Sequence, residues 1–481
     1  MRILFVYSSV DVCSLRQPLP SFGDIHIGLS YISENLKKKG HFTKVVVLCS
    51  EIPRASWRSL QGVVTEYDPE IIAFTSVSTQ FVFLSEMAAF VKDRWPHKFL
   101  LIGGAHATLN PEETLKGSFD AVCVGEGEEP AVELASRLSA KQAITGIANL
   151  WIKGSDGVIE RNTPRPFLDD LDAYQVDREM WVPLVSDKAG HRHVVLLGRG
   201  CPFDCAYCSN HAFRKIASGE YVRYRSPASI VDEIRQIKAK WPAIRDVYLQ
   251  AETIGFSREW LFDLSRQLRE FNSTLPSPIA FTCNLRVASN YVSREIFSVL
   301  ADANVRSVEI GLESGSERLR REVLKRSYSN DEFIQAVALA REHGMKVTVY
   351  NMIGLPGETP ADYMETVRIN HICNPDRSST SIFHPYPGTR LYRECRERGL
   401  LDGIDLYQGL ERRKAVLSFP GFSRPQIQHA YNWFEFGIYR GHRSLLYRLR
   451  KVARNVIGSQ RLVYRLFLKF LPLWQGIRVQ K

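Results

Sequence analysis

The sequence predicts an α/β protein in three parts: a parallel sheet covered by helices on both faces, a partial barrel of six strand–helix units, and a helical, basic carboxyl-terminal region. Three observations carry this. Short apolar runs alternate with helical segments over residues 1–140, and a second alternation runs from His193 to about residue 400. The residues from Phe436 onward hold eight Arg, three Lys and no acid, which accounts for the whole net charge of +11.

In the first series the strands are read at Ile3–Tyr7, Val45–Cys49, Ile71–Phe74, Phe99–Ile102 and Ala121–Val124, with helices near 28–39, 80–93 and 129–139. The helix at 28–39 shows the logic. Leu29, Ile32 and Leu36 share a face, Lys37, Lys38 and Lys39 occupy the last turn, and Gly40 suits a left-handed cap. Strands alternating with helices at this spacing imply a parallel sheet buried on both faces, with ligands at the carboxyl ends of its strands. Residues 141–192 break the rhythm. Leu150–Lys153 and Val158–Arg161 flank Gly154-Ser-Asp-Gly157, a hairpin signal, and Pro164, Pro166 and Asp169–Asp172 read as a linker.

The second series, residues 193–400, has strands at Val194–Leu197, Val247–Gln250, Ile279–Thr282, Ser307–Ile310, Lys346–Tyr350 and Ser381–Phe383. One of its helices starts at the capping box Ser329-Asn-Asp-Glu332 and stops at Gly344. Six such units predict a barrel open on one side, with its chemistry at the strand carboxyl ends. Residues 401–481 form the basic helical region.

Composition limits the function classes. A chain of 481 residues, 44% hydrophobic and 24% charged, suits two or three globular domains. No apolar run approaches the roughly 18–20 residues that span a bilayer, and the first residues lack a signal-peptide pattern. A cytoplasmic protein is expected, with its nine cysteines mostly reduced and closely spaced ones suited to metal or redox chemistry. The body is electrically neutral, so the basic balance says nothing of its ligands.

Directly after the first strand of the second series stands Gly198-Arg-Gly-Cys201-Pro-Phe-Asp-Cys205-Ala-Tyr-Cys208. Three thiolates on one glycine-bearing loop suit a small iron–sulfur cluster, and in a 4Fe–4S cluster they leave one iron open to bind a substrate and pass it an electron. The alternative is structural zinc, which favours four ligands in paired Cys-x2-Cys spacing; no second pair follows.

Cys201-x3-Cys205-x-Tyr207-Cys208 resembles the signature of the radical S-adenosylmethionine (SAM) superfamily. Later segments agree in order: Gln250-Ala-Glu-Thr253, Cys283-Asn-Leu-Arg286, Ile310-Gly-Leu-Glu-Ser-Gly315, Gly354-Leu-Pro-Gly-Glu358 and His384-Pro-Tyr-Pro-Gly-Thr389. The resemblance implies that Cys201, Cys205 and Cys208 hold a 4Fe–4S cluster. It assigns Tyr207, Glu252, Arg286, Glu313, Gly354 and Pro356 to SAM, although the glycines usual around Glu252 are absent.

Phe74-Thr-Ser-Val-Ser-Thr79, Ile102-Gly-Gly-Ala-His-Ala-Thr108, Asn110-Pro-Glu-Glu113 and Val124-Gly-Glu-Gly-Glu128 resemble the flavodoxin-like cobalamin-binding domain that precedes many radical SAM cores. The implied cobalamin contacts are Ser76, Ser78, Thr79, Gly103, Gly104, His106, Gly125 and Glu126. Relatives that ligate the cofactor's lower face carry Asp-x-His-x-x-Gly; here Gly23-Asp-Ile-His-Ile-Gly28 has its glycine one residue early. His26 is therefore read as a loop cap and not as a cobalt ligand.

The resemblance implies a division of labour. One SAM methylates reduced cobalamin; a second, cleaved at the cluster, yields a radical that removes hydrogen from an unactivated carbon, which then takes the methyl. The expected activity is class B C-methylation of a small-molecule or lipid-like substrate, fed by a flavodoxin- or ferredoxin-type electron donor. The alternatives are ring formation, ring contraction or oxidation with the same cofactors, and a non-catalytic cobalamin sensor or carrier. Methylthiotransferases carry cluster cysteines in their first domain, whereas Cys13, Cys49 and Cys123 read as scattered core thiols. For the tail, 436–481, peripheral contact with the inner membrane face ranks first, a cap over the barrel mouth second and nucleic acid last.

Overall fold

The computed structural model describes residues 1–463 except 10, 11, 13, 155, 256, 289–291, 407–409, 461 and 462. The reading of Cys13, and that of the tail over 464–481, lie outside the described residues.

Strands β1 (Arg2–Ser8), β2 (Phe42–Leu48), β3 (Ile71–Thr75), β4 (Phe99–Gly103), β5 (Ala121–Cys123), β6 (Leu150–Lys153) and β7 (Ile159–Arg161) form one sheet in the order β2-β1-β3-β4-β5-β6-β7. The first five are parallel, in flavodoxin-like order. Their continuous apolar runs follow from burial on both faces: Ile3 and Phe5 enter one core cluster, Leu4 and Val6 the other. The helix Ile27–Lys38 buries Leu29 and Leu36 and ends on Lys37 and Lys38, with Gly40 at φ 80° just beyond it. The predicted hairpin forms and adds two antiparallel strands to the β5 edge, so the backbone groups of β5 are not left open.

The second sheet is wholly parallel. It comprises β8 (Arg192–Leu196), β11 (Asp246–Gln250), β12 (Ala280–Leu285), β13 (Val305–Glu313), β14 (Lys346–Ile353) and β15 (Arg377–Ile382), while β9 (Gly198–Arg199) and β10 (Arg223–Tyr224) pair antiparallel in a separate short ribbon. The order β15-β14-β13-β12-β11-β8 leaves both edges unjoined among the described residues, which makes the barrel a partial one. Val195, Val247, Phe281, Val308 and Val349 lie under its helices. The capping box Ser329/Glu332 is formed, and Gly344 follows that helix at φ 73°.

The two halves share a core. Phe22, on the loop after β1, stacks on His193 of β8 with ring centroids 4.7 Å apart and planes 2° from parallel. Trp181, Val185 and Val194 belong to the same apolar cluster as Ile3 and Phe5, and Trp181 Nε1 donates to Ser30 Oγ at 2.8 Å. After β15 come the helices Arg390–Glu397, Arg424–Ile438 and Leu445–Ser459. Among the described residues no helix is long and apolar enough to cross a membrane.

Candidate active site at the facing strand ends

The loop after β9 sets the three cysteines. Gly200 has φ 85°, and a Cβ there would run into the Tyr221 carbonyl, so glycine is required for the chain to turn into Cys201. Cys201 and Cys205 are buried and Cys208 is half-buried. Hydrogen-bond donors already face two sulfurs. Arg286 Nη1 lies 2.9 Å from Cys205 Sγ, with its guanidinium 3.8 Å above the Phe203 ring, and Asn210 Nδ2 lies 3.4 Å from Cys208 Sγ. Burial pushes the Cys201 thiol up to about 11 and raises Cys208 as well; cluster binding would have to displace those protons. Among the described residues no three His, Cys, Asp or Glu side chains are set to hold a single metal ion. Three thiols on one loop, two of them met by donors, fit the separate irons of a cluster.

Around this loop lie four of the residues read as SAM contacts, Tyr207, Glu252, Arg286 and Glu313. Glu313 ends β13 at φ 61°, an unusual conformation for a non-glycine residue. It accepts from Arg326 Nη1 at 2.7 Å and from Tyr207 Oη at 3.1 Å. A side chain on Gly311 would collide with the Glu313 carboxylate, so the glycine makes room for it. Asn210 Nδ2 also donates to Glu252 at 3.2 Å and thereby ties that exposed carboxylate to Cys208. Gly354 and Pro356 lie in the loop after β14, where the Gly354 and Leu355 N–H groups donate to buried Glu358. Burial raises the Glu358 carboxyl to about 8.

In the first half a cavity of about 490 Å³ runs along the sheet face formed by Phe5, Tyr7, Ala73 and Leu101, beneath the helix Ile27–Lys38. Its upper wall holds Gly103, Gly104, Gly125 and Glu126 from the first sheet and Leu196, Arg199 and Gln250 from the second half. Gly104 takes φ 91°, and a Cβ there would lie 2.7 Å from Thr75 Oγ1 and 2.8 Å from the Ser76 carbonyl. The volume falls within the roughly 300–1,000 Å³ of ligand sites. An apolar cleft with a rim of Gly103, Gly104 and Gly125 fits the tail and rim of a large cofactor.

Other expected cobalamin contacts sit differently. Ser76, Ser78, Thr79 and His106 lie off the cavity wall. His106 is fully buried, stacked on Phe81 at 4.0 Å and 3.1 Å from Ser78 Oγ, and burial lowers it to about 4. Thr79 donates to Glu411, which Tyr386 also contacts, so it links the first half to the region beyond β15. Glu126 accepts from Arg199 at 2.9 Å and Arg223 at 3.0 Å. Burial opposes ionisation of Glu126, but these two guanidiniums prevail and hold its carboxyl below the usual range.

His26 caps the helix Ile27–Lys38, its Nδ1 accepting from Leu29 N at 3.2 Å, and it lines the cavity. Burial lowers its pKa to about 4, so the ring is neutral. With Nδ1 accepting from a backbone N–H the ring proton resides on Nε2, and metal ligation would require loss of this cap or a change of tautomer.

Sequence reading missed Arg326, Arg223, Asn210 and Tyr221, which organise the cysteine loop, and Tyr7 and Tyr31 on the cavity wall. Arg199, flanked by the two glycines of the cysteine segment, carried a signal in hindsight. The others stand in no motif.

Two family models match the chain: the Radical SAM superfamily at residues 195–369 and the B12 binding domain at residues 23–135. The chain is 25% identical over 405 residues to an uncharacterized methyltransferase of Pyrococcus horikoshii, covering 83% of this chain and 84% of that one. It is 24% identical over 381 residues to an anaerobic magnesium-protoporphyrin IX monomethyl ester cyclase of Cereibacter sphaeroides; the match covers 77% of this chain and 60% of the cyclase. A similar fold is seen in the radical S-adenosylmethionine methyltransferase TsrM of Kitasatospora setae, solved with tryptophan substrate and a SAM analog. The TM-score is 0.67 at 20% identity, covering 84% of this chain and 77% of that one.

Proposed function

We propose that the chain, which carries a radical SAM domain and a B12 binding domain, methylates an unactivated carbon of a small-molecule or lipid-like substrate. Its cofactors are SAM, a 4Fe–4S cluster and cobalamin. When bound, the cluster with SAM supplies a hydrogen-abstracting radical and cobalamin supplies the methyl group. In this reading residues 1–140 form the cobalamin module and 193–400 the radical SAM core.

The protein's own part is holding and excluding. Cys201, Cys205 and Cys208 are the cluster ligands, with Arg286 and Asn210 donating to sulfur. Tyr207, Glu252, Arg286, Glu313, Gly354 and Pro356 surround SAM, and the buried Arg326 fixes the Glu313 carboxylate. Gly103, Gly104, Gly125 and Glu126 form the cobalamin side, and Ser76, Ser78, Thr79 and His106, off the cavity wall, stand behind it. Glu126 acts there through Arg199, which stands two residues before the first cysteine. An inert C–H bond offers no acid or nucleophile handle, so positioning and water exclusion are what the side chains contribute.

One observation carries the reading: strand ends of both sheets, Gly103 with Gly104 and Leu196 with Gln250, line a single cavity. The test is anaerobic reconstitution with iron, sulfide, cobalamin and SAM, a flavodoxin as electron donor, and mass spectrometry of lipid and soluble extracts. A product heavier by one methyl, with S-adenosylhomocysteine and 5′-deoxyadenosine formed together, is expected. A product without added methyl favours the second reading, ring formation or oxidation, which the likeness to the cyclase supports.

A further inference from the structure

The helix Leu445–Ser459 buries Val452, Asn455 and Ser459 against the protein and leaves most of its apolar side chains in water. Inward, Lys451 and Arg454 reach the buried Glu435 carboxylate at 2.8 and 2.6 Å. Asn455 Nδ2 donates to the Tyr431 carbonyl, and Arg448 Nε donates to that of Phe436 at 2.8 Å. Outward, Leu445 and Leu446 are each 59% exposed, and Leu449, Val456 and Ile457 are exposed with them. At about 100° per residue these five side chains fall within one arc of about 120°. Surface helices of globular proteins normally show the reverse arrangement.

The rim of this stripe is cationic. Arg450 on the helix, and Arg440 and Arg443 just before it, are exposed, and no acidic residue occurs from Phe436 to Lys481. We propose that this face docks on an anionic membrane surface, leucines in the acyl–headgroup boundary and arginines among the headgroups. A second copy of the chain is a poor occupant, because a two-fold contact would set arginine rim against arginine rim. An uncharged apolar partner would leave the cationic rim without a counterpart. A bilayer of anionic lipid satisfies both features at once. The proposal is independent of the reaction catalysed.

The test is co-sedimentation of the full-length protein with vesicles of phosphatidylcholine alone and of equal parts phosphatidylcholine and phosphatidylglycerol. Binding is expected only to the anionic vesicles and should weaken as salt screens the headgroups. Leu446→Asp with Leu449→Asp, both at exposed positions, should reduce affinity by about tenfold or more. Arg440→Gln with Arg443→Gln and Arg450→Gln should reduce it by a similar factor. A chain ending at Gln460 should still bind. Equal binding by the leucine variant, no binding of the parent at low salt, loss of binding on truncation, or a concentration-dependent dimer that the leucine variant abolishes would each overturn the proposal.

Discussion

Glu126, on the loop after β5, and Arg199, just before the cysteine loop, are joined at 2.9 Å, and Glu128 holds the second arm of the same guanidinium at 2.5 Å. The rim of the cobalamin module is thereby tied directly to the segment that presents Cys201. Charge pairs this enclosed cost several kcal/mol when one partner is removed, because the other charge stays behind unpaired.

Arg199→Met should therefore destabilise the protein by about 3 kcal/mol, read as a lowered urea midpoint. The parent should also lose stability in acid. The Glu126 carboxyl is held below its ordinary 4.5, so its contribution is complete above that value and disappears as pH falls through the lowered folded value. A Glu126→Gln variant whose midpoint shows the same decline below pH 4.5 would refute this assignment.

Replacing Cys201, Cys205 and Cys208 together by Ala should abolish the visible absorbance of the cluster and all SAM cleavage. Iron and sulfide analysis on anaerobically purified protein checks this; a full iron complement in the triple variant would place the cluster elsewhere.

Cobalamin should bind without a histidine on its lower face, because the lone pair of His26 Nδ1 is taken by the Leu29 N–H. Electron paramagnetic resonance of the cob(II)alamin form should show no nitrogen splitting from the protein. His26→Ala should cost about 1 kcal/mol as a lost helix cap and leave that spectrum unchanged.

Gly104→Ala should strip cobalamin while sparing the cluster. The new methyl would press on Thr75 and Ser76 from a backbone at φ 91°, a strain of about 1–3 kcal/mol localised to the cavity rim. Cobalamin content by absorbance, set against iron content in the same sample, separates this local effect from general misfolding.

Both sheets were legible in the sequence wherever strands are buried on two faces. β1, β3 and β4 announce themselves as short apolar runs, and β11 shows by the alternation that buries Val247 and Leu249. Legibility failed where burial is one-sided. The helix Pro53–Tyr67 buries little beyond Leu60 and Val64 and so lacks a broad apolar stripe. The strand Arg377–Ile382 sits at the sheet edge and is mostly Ser and Thr, so only its last residues stood out. Site residues within motifs were visible, whereas the partners that fix them were not. Nothing near Glu126 in sequence reveals Arg223, 97 residues away, and nothing near Tyr207 reveals Arg326, 119 residues away.

The stacked pair Phe22 and His193 bears on how this protein can be taken apart or recombined. Splitting the chain between its halves would strand one aromatic face of that pair, with Trp181 and Val194, in water. The two halves are thus one heritable block: a first half grafted onto a foreign barrel must bring its own first-strand surface along.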